Sequence, residues 1–259
     1  MLELYHFYGA TCGLKARLAV AEKRIEIIDR AVDRKFLRTA EYLKLNPNAV
    51  VPTLVHDGVV LTESTVIINY LDDAFEERPL KPHTAIGHAH VLWWMKRADD
   101  SLTDIGMLTY TVSMRPKLQQ LGADELRQYF NGIPNAAARA RRRQIVESGL
   151  HNPDFPVALN RLRLMLADLE NTLAQSSWLV GNDYTLADLA MTPLLERLVE
   201  MRCEDMWRLE RPKVTDWWER VMGRSSYRSC VVDKPNPEAA QHAEYGQAAW
   251  PEIKRLFFA

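Results

Sequence analysis

The chain has 259 residues, a formal net charge of −1 and an apolar share of 47%, which allows one or two domains with a sizeable core and argues against a nucleic-acid binder. Its three cysteines, Cys12, Cys203 and Cys230, have no paired spacing and suit a reducing compartment better than a disulfide scaffold. Met1–Tyr5 carries no charged leader and no run approaches eighteen apolar residues, so the expectation is a cytoplasmic protein with no membrane partner.

Leu2 to Phe7 alternates apolar and polar side chains and reads as a strand. Ala10-Thr11-Cys12-Gly13 reads as a turn, after which Leu14, Leu18 and Ala21 recur at helical spacing up to Lys23-Arg24. Ile25 to Asp29 reads as a second strand, followed by an irregular helix. Thr53–His56 and Val59–Leu61 flank Asp57-Gly58, a two-residue hairpin signal. Glu63-Ser64 then opens a helical run from Thr65 to Phe75. This order predicts a small mixed sheet with helices on its faces.

Arg78 to His83 is a proline-bearing connection, and strand signals vanish after it. His88 to Asp104 is amphipathic, with Val91, Trp94, Met95, Ala98 and Leu102 on one stripe. Trp93-Trp94-Met95 and Trp217-Trp218 read mainly as core. The segment 107–156 carries Gly132-Ile133-Pro134 and the run Arg139-Ala140-Arg141-Arg142-Arg143. That run reads first as a solvated helix face, with recruitment of an acidic ligand as the lesser alternative. Leucines at 159, 162, 166, 169 and 173 mark another helix. Gly181 to Asp188 is a helix start: Thr185 caps, Asp188 completes the box, and Tyr184 is placed to staple onto Leu189. His88 and His90 are too close in sequence to share a helix face and lack a third ligand, so no metal site is expected.

Two of these stretches carry a family resemblance. Val51-Pro52-Thr53-Leu54 before the hairpin, with Glu63-Ser64 after it, resembles the glutathione-binding half of a glutathione S-transferase. Asp183-Tyr184-Thr185-Leu186-Ala187-Asp188 resembles a helix start in the middle of transferase C-terminal domains. The resemblance implies an α/β thioredoxin-like domain over 1–78, an all-α domain over 86–259, glutathione as co-substrate and a homodimer. The insert around 107–156 is similar to that of bacterial β-aryl etherases and related fungal transferases, which cleave aryl ethers with glutathione.

The chemistry implied is attack by a glutathione thiolate on an electrophilic carbon. Ala10 to Arg17 resembles the zeta-class run Ser-Ser-Cys-x-x-[Arg/Lys]-Val-Arg, with Ala10 where the activating serine stands. The Thr11 hydroxyl, the Cys12 thiol and a backbone amide are the candidate activators, with Tyr8 a lesser one. A helix start is expected to depress the Cys12 pKa, although a lone cysteine is often only a small buried hydrophobe. A reactive Cys12 would shift activity toward thiol exchange or glutathione removal; Gly13, not proline, follows it.

The same resemblance implies the glutathione contacts. Glu63 takes the γ-glutamyl ammonium and Ser64 its carboxylate, the plain alternative for Ser64 being an N-cap. Pro52 is cis and exposes the Val51 backbone to the cysteinyl residue, while Val50 stands where glutamine is frequent. Arg38 meets the glycyl carboxylate or is a surface arginine. Tyr8, Met107, Tyr110 and Met114 line an apolar second-substrate pocket or simply pack. The reading is therefore a transferase acting on a small aromatic electrophile, with β-aryl ether cleavage as its favoured form. A Cys12-dependent lyase or thiol transferase and a non-catalytic binding module are the alternatives.

Overall fold

The computed structural model describes residues 1–259. Its first part is a four-stranded sheet of β1 (Leu2–His6), β2 (Ile28–Ala31), β3 (Thr53–His56) and β4 (Val59–Leu61), in the order β2-β1-β3-β4. β1 and β2 are parallel, whereas β3 runs antiparallel to both β1 and β4. The helices of this half are α1 (Thr11–Lys23), α2 (Ala40–Leu45) and α3 (Ser64–Ala74). The hairpin turns at Asp57 and Gly58, both at positive φ (48° and 82°), as a tight two-residue loop requires. The second strand starts at Ile28 rather than Ile25. Arg24 closes α1 in the left-handed region, and the Ile25 amide bonds back to the Val20 carbonyl at 3.1 Å. Ile25 and Ile27 instead pack against the core.

The rest is helical: α4 (Ala85–Thr109), α5 (Arg115–Gln119), α6 (Ala123–Asn131), α7 (Ala136–Ser148), α8 (Asp154–Leu173), α9 (Leu186–Glu200), α10 (Asp205–Arg208), α11 (Pro212–Met222), α12 (Ser225–Tyr227) and α13 (Ala239–Phe257). π-helical turns at Tyr110–Met114 and Arg228–Val232 follow α4 and α12. α4 begins earlier than its apolar stripe suggests, because Thr84 caps it by accepting from the Gly87 amide at 3.1 Å. No helix is long and apolar enough to cross a membrane.

One core runs through both halves. α1 packs on α3 and α9, and α4 packs on α8 and α9. Trp94, Met95, Trp217 and Trp218 are buried in it as expected. Trp93 is not: it is 53% exposed, one helical step off the buried stripe, and meets Trp94 edge-on.

The capping box of α9 forms and does more than cap. The Asp188 carboxylate accepts from the Thr185 amide at 2.9 Å and hydroxyl at 3.1 Å, the Leu179 amide at 3.0 Å and the Trp217 indole at 2.9 Å. One buried carboxylate thus ties a loop, a helix start and a core tryptophan together, with its lone pairs satisfied. Tyr184 is buried beside it, edge-on to Trp178 and covered by the Arg224 guanidinium at 3.8 Å.

The segment after α11 returns to the sheet half as a strap. Arg224 pairs with Glu22 through two bonds of 2.6 and 2.8 Å. Arg17 donates to the Cys230 carbonyl at 2.5 Å, Lys234 reaches Asp29 at 3.2 Å, and Glu238 takes Arg34 at 3.1 and 3.0 Å.

Candidate functional site

The strand-to-helix turn, the bend before β3 and the start of α3 converge. At the bend the Val51–Pro52 peptide is cis. The Val50 carbonyl accepts from the Tyr42 hydroxyl at 2.6 Å and from Asn46 Nδ2 at 3.0 Å. The same two side chains bond the Thr53 hydroxyl at 2.9 and 3.1 Å. These bonds pin both flanks of the bend. The Val51 side chain is buried against Leu37 and Tyr42, yet its own amide and carbonyl have no backbone partner. Buried backbone groups are rarely left unpaired, and this donor and acceptor are free to pair with an extended backbone.

Ser64 does not cap α3. The N-cap is Glu63 and no side chain caps the helix. The plain structural alternative for Ser64 is thereby excluded. The amides of Ser64, Thr65 and Val66 have no backbone acceptor, so the helix start offers donors and a positive dipole end that favour an anion. Glu63 stands beside it at φ 66° and ψ 114°, a conformation that costs a non-glycine residue about 1–3 kcal/mol. Its carboxylate is exposed and bonds nothing within the chain. A carboxylate for an ammonium and three amides for a carboxylate thus lie side by side.

At α1 the N-cap is Ala10, which has no side chain to offer. The amides of Thr11, Cys12 and Gly13 therefore have no acceptor, while the Leu14 amide bonds the Ala10 carbonyl at 2.8 Å. Thr11 and Cys12 diverge. Thr11 lines a polar cleft under the strap with Gly9, Arg17, Glu196, Arg197 and Lys234. Cys12 is partly exposed and sits by Ser64 and Lys15. Its thiol is not depressed as a helix start alone would suggest. Burial pushes it up, and the Lys15 ammonium and Ser64 hydroxyl only partly offset that. The expectation of a low-pKa Cys12 is overturned because desolvation outweighs the nearby charge.

Sequence reasoning missed Lys15 as a functional group. Its ammonium is fully buried, bonded to Asp99 Oδ1 of α4 at 2.8 Å and the Thr65 hydroxyl at 3.1 Å, and Thr65 donates to the same Asp99 oxygen at 2.7 Å. Asp99 remains 37% exposed. The available signal was Lys15's place one helical turn beyond Cys12, at the basic position of the zeta-like run.

In the cleft, Arg197 donates to the Gly9 carbonyl and, at 2.6 Å, to His242 Nε2, and pairs with Glu200 at 2.9 Å. Burial and the Arg197 charge lower the His242 pKa to about 4. Glu196 is raised to about 7, chiefly by burial, although the Tyr227 hydroxyl donates to it at 2.6 Å.

Met107 and Met114 are buried, Met107 within the main core. Tyr110 is half-buried under the Arg142 guanidinium, 2.9 Å from its ring centroid. Tyr8 lies edge-on to His6 and under Arg17 at 4.6 Å. The exposed Arg38 reaches the insert: a Cβ on Gly132 would stand 2.5 Å from its guanidinium.

The glutathione S-transferase N-terminal domain family matches residues 4–79 and the C-terminal domain family matches residues 151–225. The protein LigF of a Sphingobium species is 28% identical, with 88% of this chain and 91% of the relative covered. The tetrachloro-p-hydroquinone reductive dehalogenase of Sphingobium chlorophenolicum is also 28% identical, over 89% of this chain and 96% of the relative. A probable maleylacetoacetate isomerase of Caenorhabditis elegans is 31% identical over 74% of this chain and 76% of the relative. The crystal structure of β-etherase LigF superposes with a TM-score of 0.82 at 26% identity, covering 90% of this chain and 99% of that one.

Proposed function

The chain belongs to the glutathione S-transferase superfamily, and from that premise we propose that it joins glutathione to a small aromatic electrophile. The observation that carries this is the juxtaposition of the unpaired Glu63 carboxylate, the free amides at the start of α3 and the unpaired Val51 backbone. Glu63 and Ser64 hold the γ-glutamyl end, Val51 at the cis Pro52 bend reads the cysteinyl backbone, and Arg38 takes the glycyl carboxylate. The free amides of Thr11, Cys12 and Gly13, with the Lys15 charge behind them, stabilise the thiolate.

The favoured reaction is cleavage of a β-aryl ether. The thiolate attacks the ether-bearing carbon, the carbon–sulfur bond forms, the carbon–oxygen bond breaks, and the aryloxide leaves with the electron pair and is protonated by water. Positioning supplies much of the rate. The insert of 107–156 and the likeness to β-etherase LigF support this form. Tyr8, Met107, Tyr110 and Met114 are assigned to the aromatic side.

One observation favours a second reading. Cys12 lies on the Ser64 side of α1, where glutathione sulfur would pass. As a lyase, its thiolate would attack the sulfur of a glutathionyl ketone and leave a mixed disulfide and an enolate that takes a proton; a second glutathione would then release Cys12. The raised thiol weighs against it.

The test is turnover with glutathione of a β-aryloxy ketone, a chloronitrobenzene and a glutathionyl ketone, by wild type and Cys12→Ser. Ether cleavage that survives Cys12→Ser supports the transferase. Its total loss there makes Cys12 the centre of the mechanism, and binding of glutathione without any turnover leaves a non-catalytic module.

We also assign a homodimer in the cytoplasm. Val59, Val66, Ile86, Leu92 and Trp93 expose large apolar surfaces on β4, α3 and α4, which a second copy would cover. The three unpaired cysteines suit a reducing compartment. Sedimentation showing only a monomer would end the dimer assignment.

A further inference from the structure

Tyr129 of α6 stands among three guanidiniums. Arg142 Nη1 donates to its hydroxyl at 2.7 Å, Arg38 lies over its ring at 5.8 Å, and Arg34 is near enough to lower its pKa against the larger effect of burial. Arg142 also lies against the Tyr110 ring, and Arg34 lies over Phe7 at 5.1 Å. The one carboxylate within this group is Glu238, and it is already held by Arg34 and by Lys117 at 2.7 Å. Four cations therefore share a single acid, and neither Arg38 nor Arg142 pairs with any.

The position of this cluster matters as much as its charge. Phe7 packs against the cluster of Leu37, Tyr42 and Val51, at the bend assigned to glutathione. Arg139 and Arg142 of the run are half-buried and Arg141 and Arg143 are exposed, and of these four Arg142 is the one on Tyr110 and Tyr129. Like charges crowded on half-buried aromatic rings repel one another, and an incoming anion relieves that. A guanidinium is suited to a carboxylate because its fork matches the two oxygens.

We propose that Arg142, set between Tyr110 and Tyr129, binds a carboxylate carried by the aromatic electrophile, so that the substrates are aromatic acids rather than neutral arenes. This rests on the transferase reading above, in which Arg38 is reserved for the glycyl carboxylate of glutathione. The carboxylate is a handle and is unchanged by the reaction. With a chloroarene acid, the thiolate forms the new carbon–sulfur bond and chloride leaves with the carbon–chlorine pair.

The experiment compares 4-chloro-3-nitrobenzoate with its neutral amide. Each is titrated calorimetrically into protein saturated with unreactive S-methylglutathione. Wild type is expected to bind the benzoate about tenfold or more tightly than the amide, the scale of a charge-assisted hydrogen bond. Arg142→Met is expected to abolish that preference, leaving the amide and S-methylglutathione affinities in place. Arg143→Met, on the same helix, is the control and is expected to keep the preference. Equal affinities in wild type, binding of neither compound, or an Arg142→Met that weakens both compounds or glutathione alone would each overturn the proposal. Turnover with glutathione is read separately on the three substrates named above: benzoate preference with no turnover of any of them would sink the transferase reading and retain the anion site.

Discussion

Replacing Glu196 by glutamine should make the protein more stable, increasingly so as the pH rises above about 4.5. Glu196 lies in α9 with its carboxylate accepting from the Tyr227 hydroxyl at 2.6 Å. Burial is the largest cause raising its pKa to about 7 from an ordinary 4.5, and Glu200 one turn along adds to it. The folded chain therefore keeps a proton between pH 4.5 and 7 that the unfolded chain releases. A raised carboxylate pKa means that stability falls as pH rises through that window. The pKa difference of about 2.5, at about 1.36 kcal/mol for each, amounts to roughly 3 kcal/mol by pH 8. Glutamine still accepts the Tyr227 bond but never ionises. Urea unfolding of wild type and Glu196→Gln from pH 5 to 8 reads this directly. Near pH 5 the variant should lead by less than about 1 kcal/mol, and at pH 8 by about 3 kcal/mol, or roughly 6–12 °C in Tm. The paired comparison cancels other titrations, including Glu238, which Arg34 and Lys117 hold down at about 2 against its burial. A stability difference that stays flat from pH 5 to 8, or a variant weaker at pH 8, would refute the reasoning.

Glu63→Ala should weaken glutathione binding roughly tenfold or more, because it removes a charge-assisted contact of about 1.5–3 kcal/mol; an unchanged calorimetric Kd in a folded variant would remove Glu63 from the site. Lys15→Met deletes the buried ammonium below the thiol position. It should move the acid limb of the kcat/KM pH profile up by about one pH unit, since a nearby cation favours a thiolate. The KM for glutathione should change little, and an unmoved acid limb would make Lys15 only a structural link between α1 and α4.

What could be read from the sequence was local. The Asp57-Gly58 hairpin and the Thr185–Asp188 box each rest on residues at most three apart, where residue type alone dictates the geometry. Lys15 and Asp99 are 84 residues apart, and Arg197 and Gly9 are 188 apart. Helical spacing tells which face a side chain takes, not what faces it from another domain. The arginine run shows the same limit. Its composition fits a solvated face, and Arg141 obeys that, while the exposed Arg143 lies over the buried Phe130 ring at 5.0 Å. Arg142 is turned by its helical step onto Tyr110 and Tyr129, which lie in two other helical segments. Trp93 failed in the opposite sense: adjacency to Trp94 says nothing about burial when neighbours on a helix point about 100° apart.

Ala10 is the residue on which these levels meet. A serine at the N-cap would accept a bond from an amide one or two residues into the helix, and its replacement by alanine costs about 1 kcal/mol. Here that amide set, Thr11 to Gly13, is left open. The helix tolerates the missing cap because α1 is wedged between α3 and α9 and fastened by Lys15 to Asp99 and by Arg17 to Cys230. Its stability comes from tertiary packing, not from its own terminus. On the proposed reading, the lost serine hydroxyl does not leave the thiol without an activator. It frees backbone donors that are rigid, need no proton of their own, and point where the sulfur's charge develops. Cys12, pushed up by burial, is then better placed to flank glutathione than to compete with it.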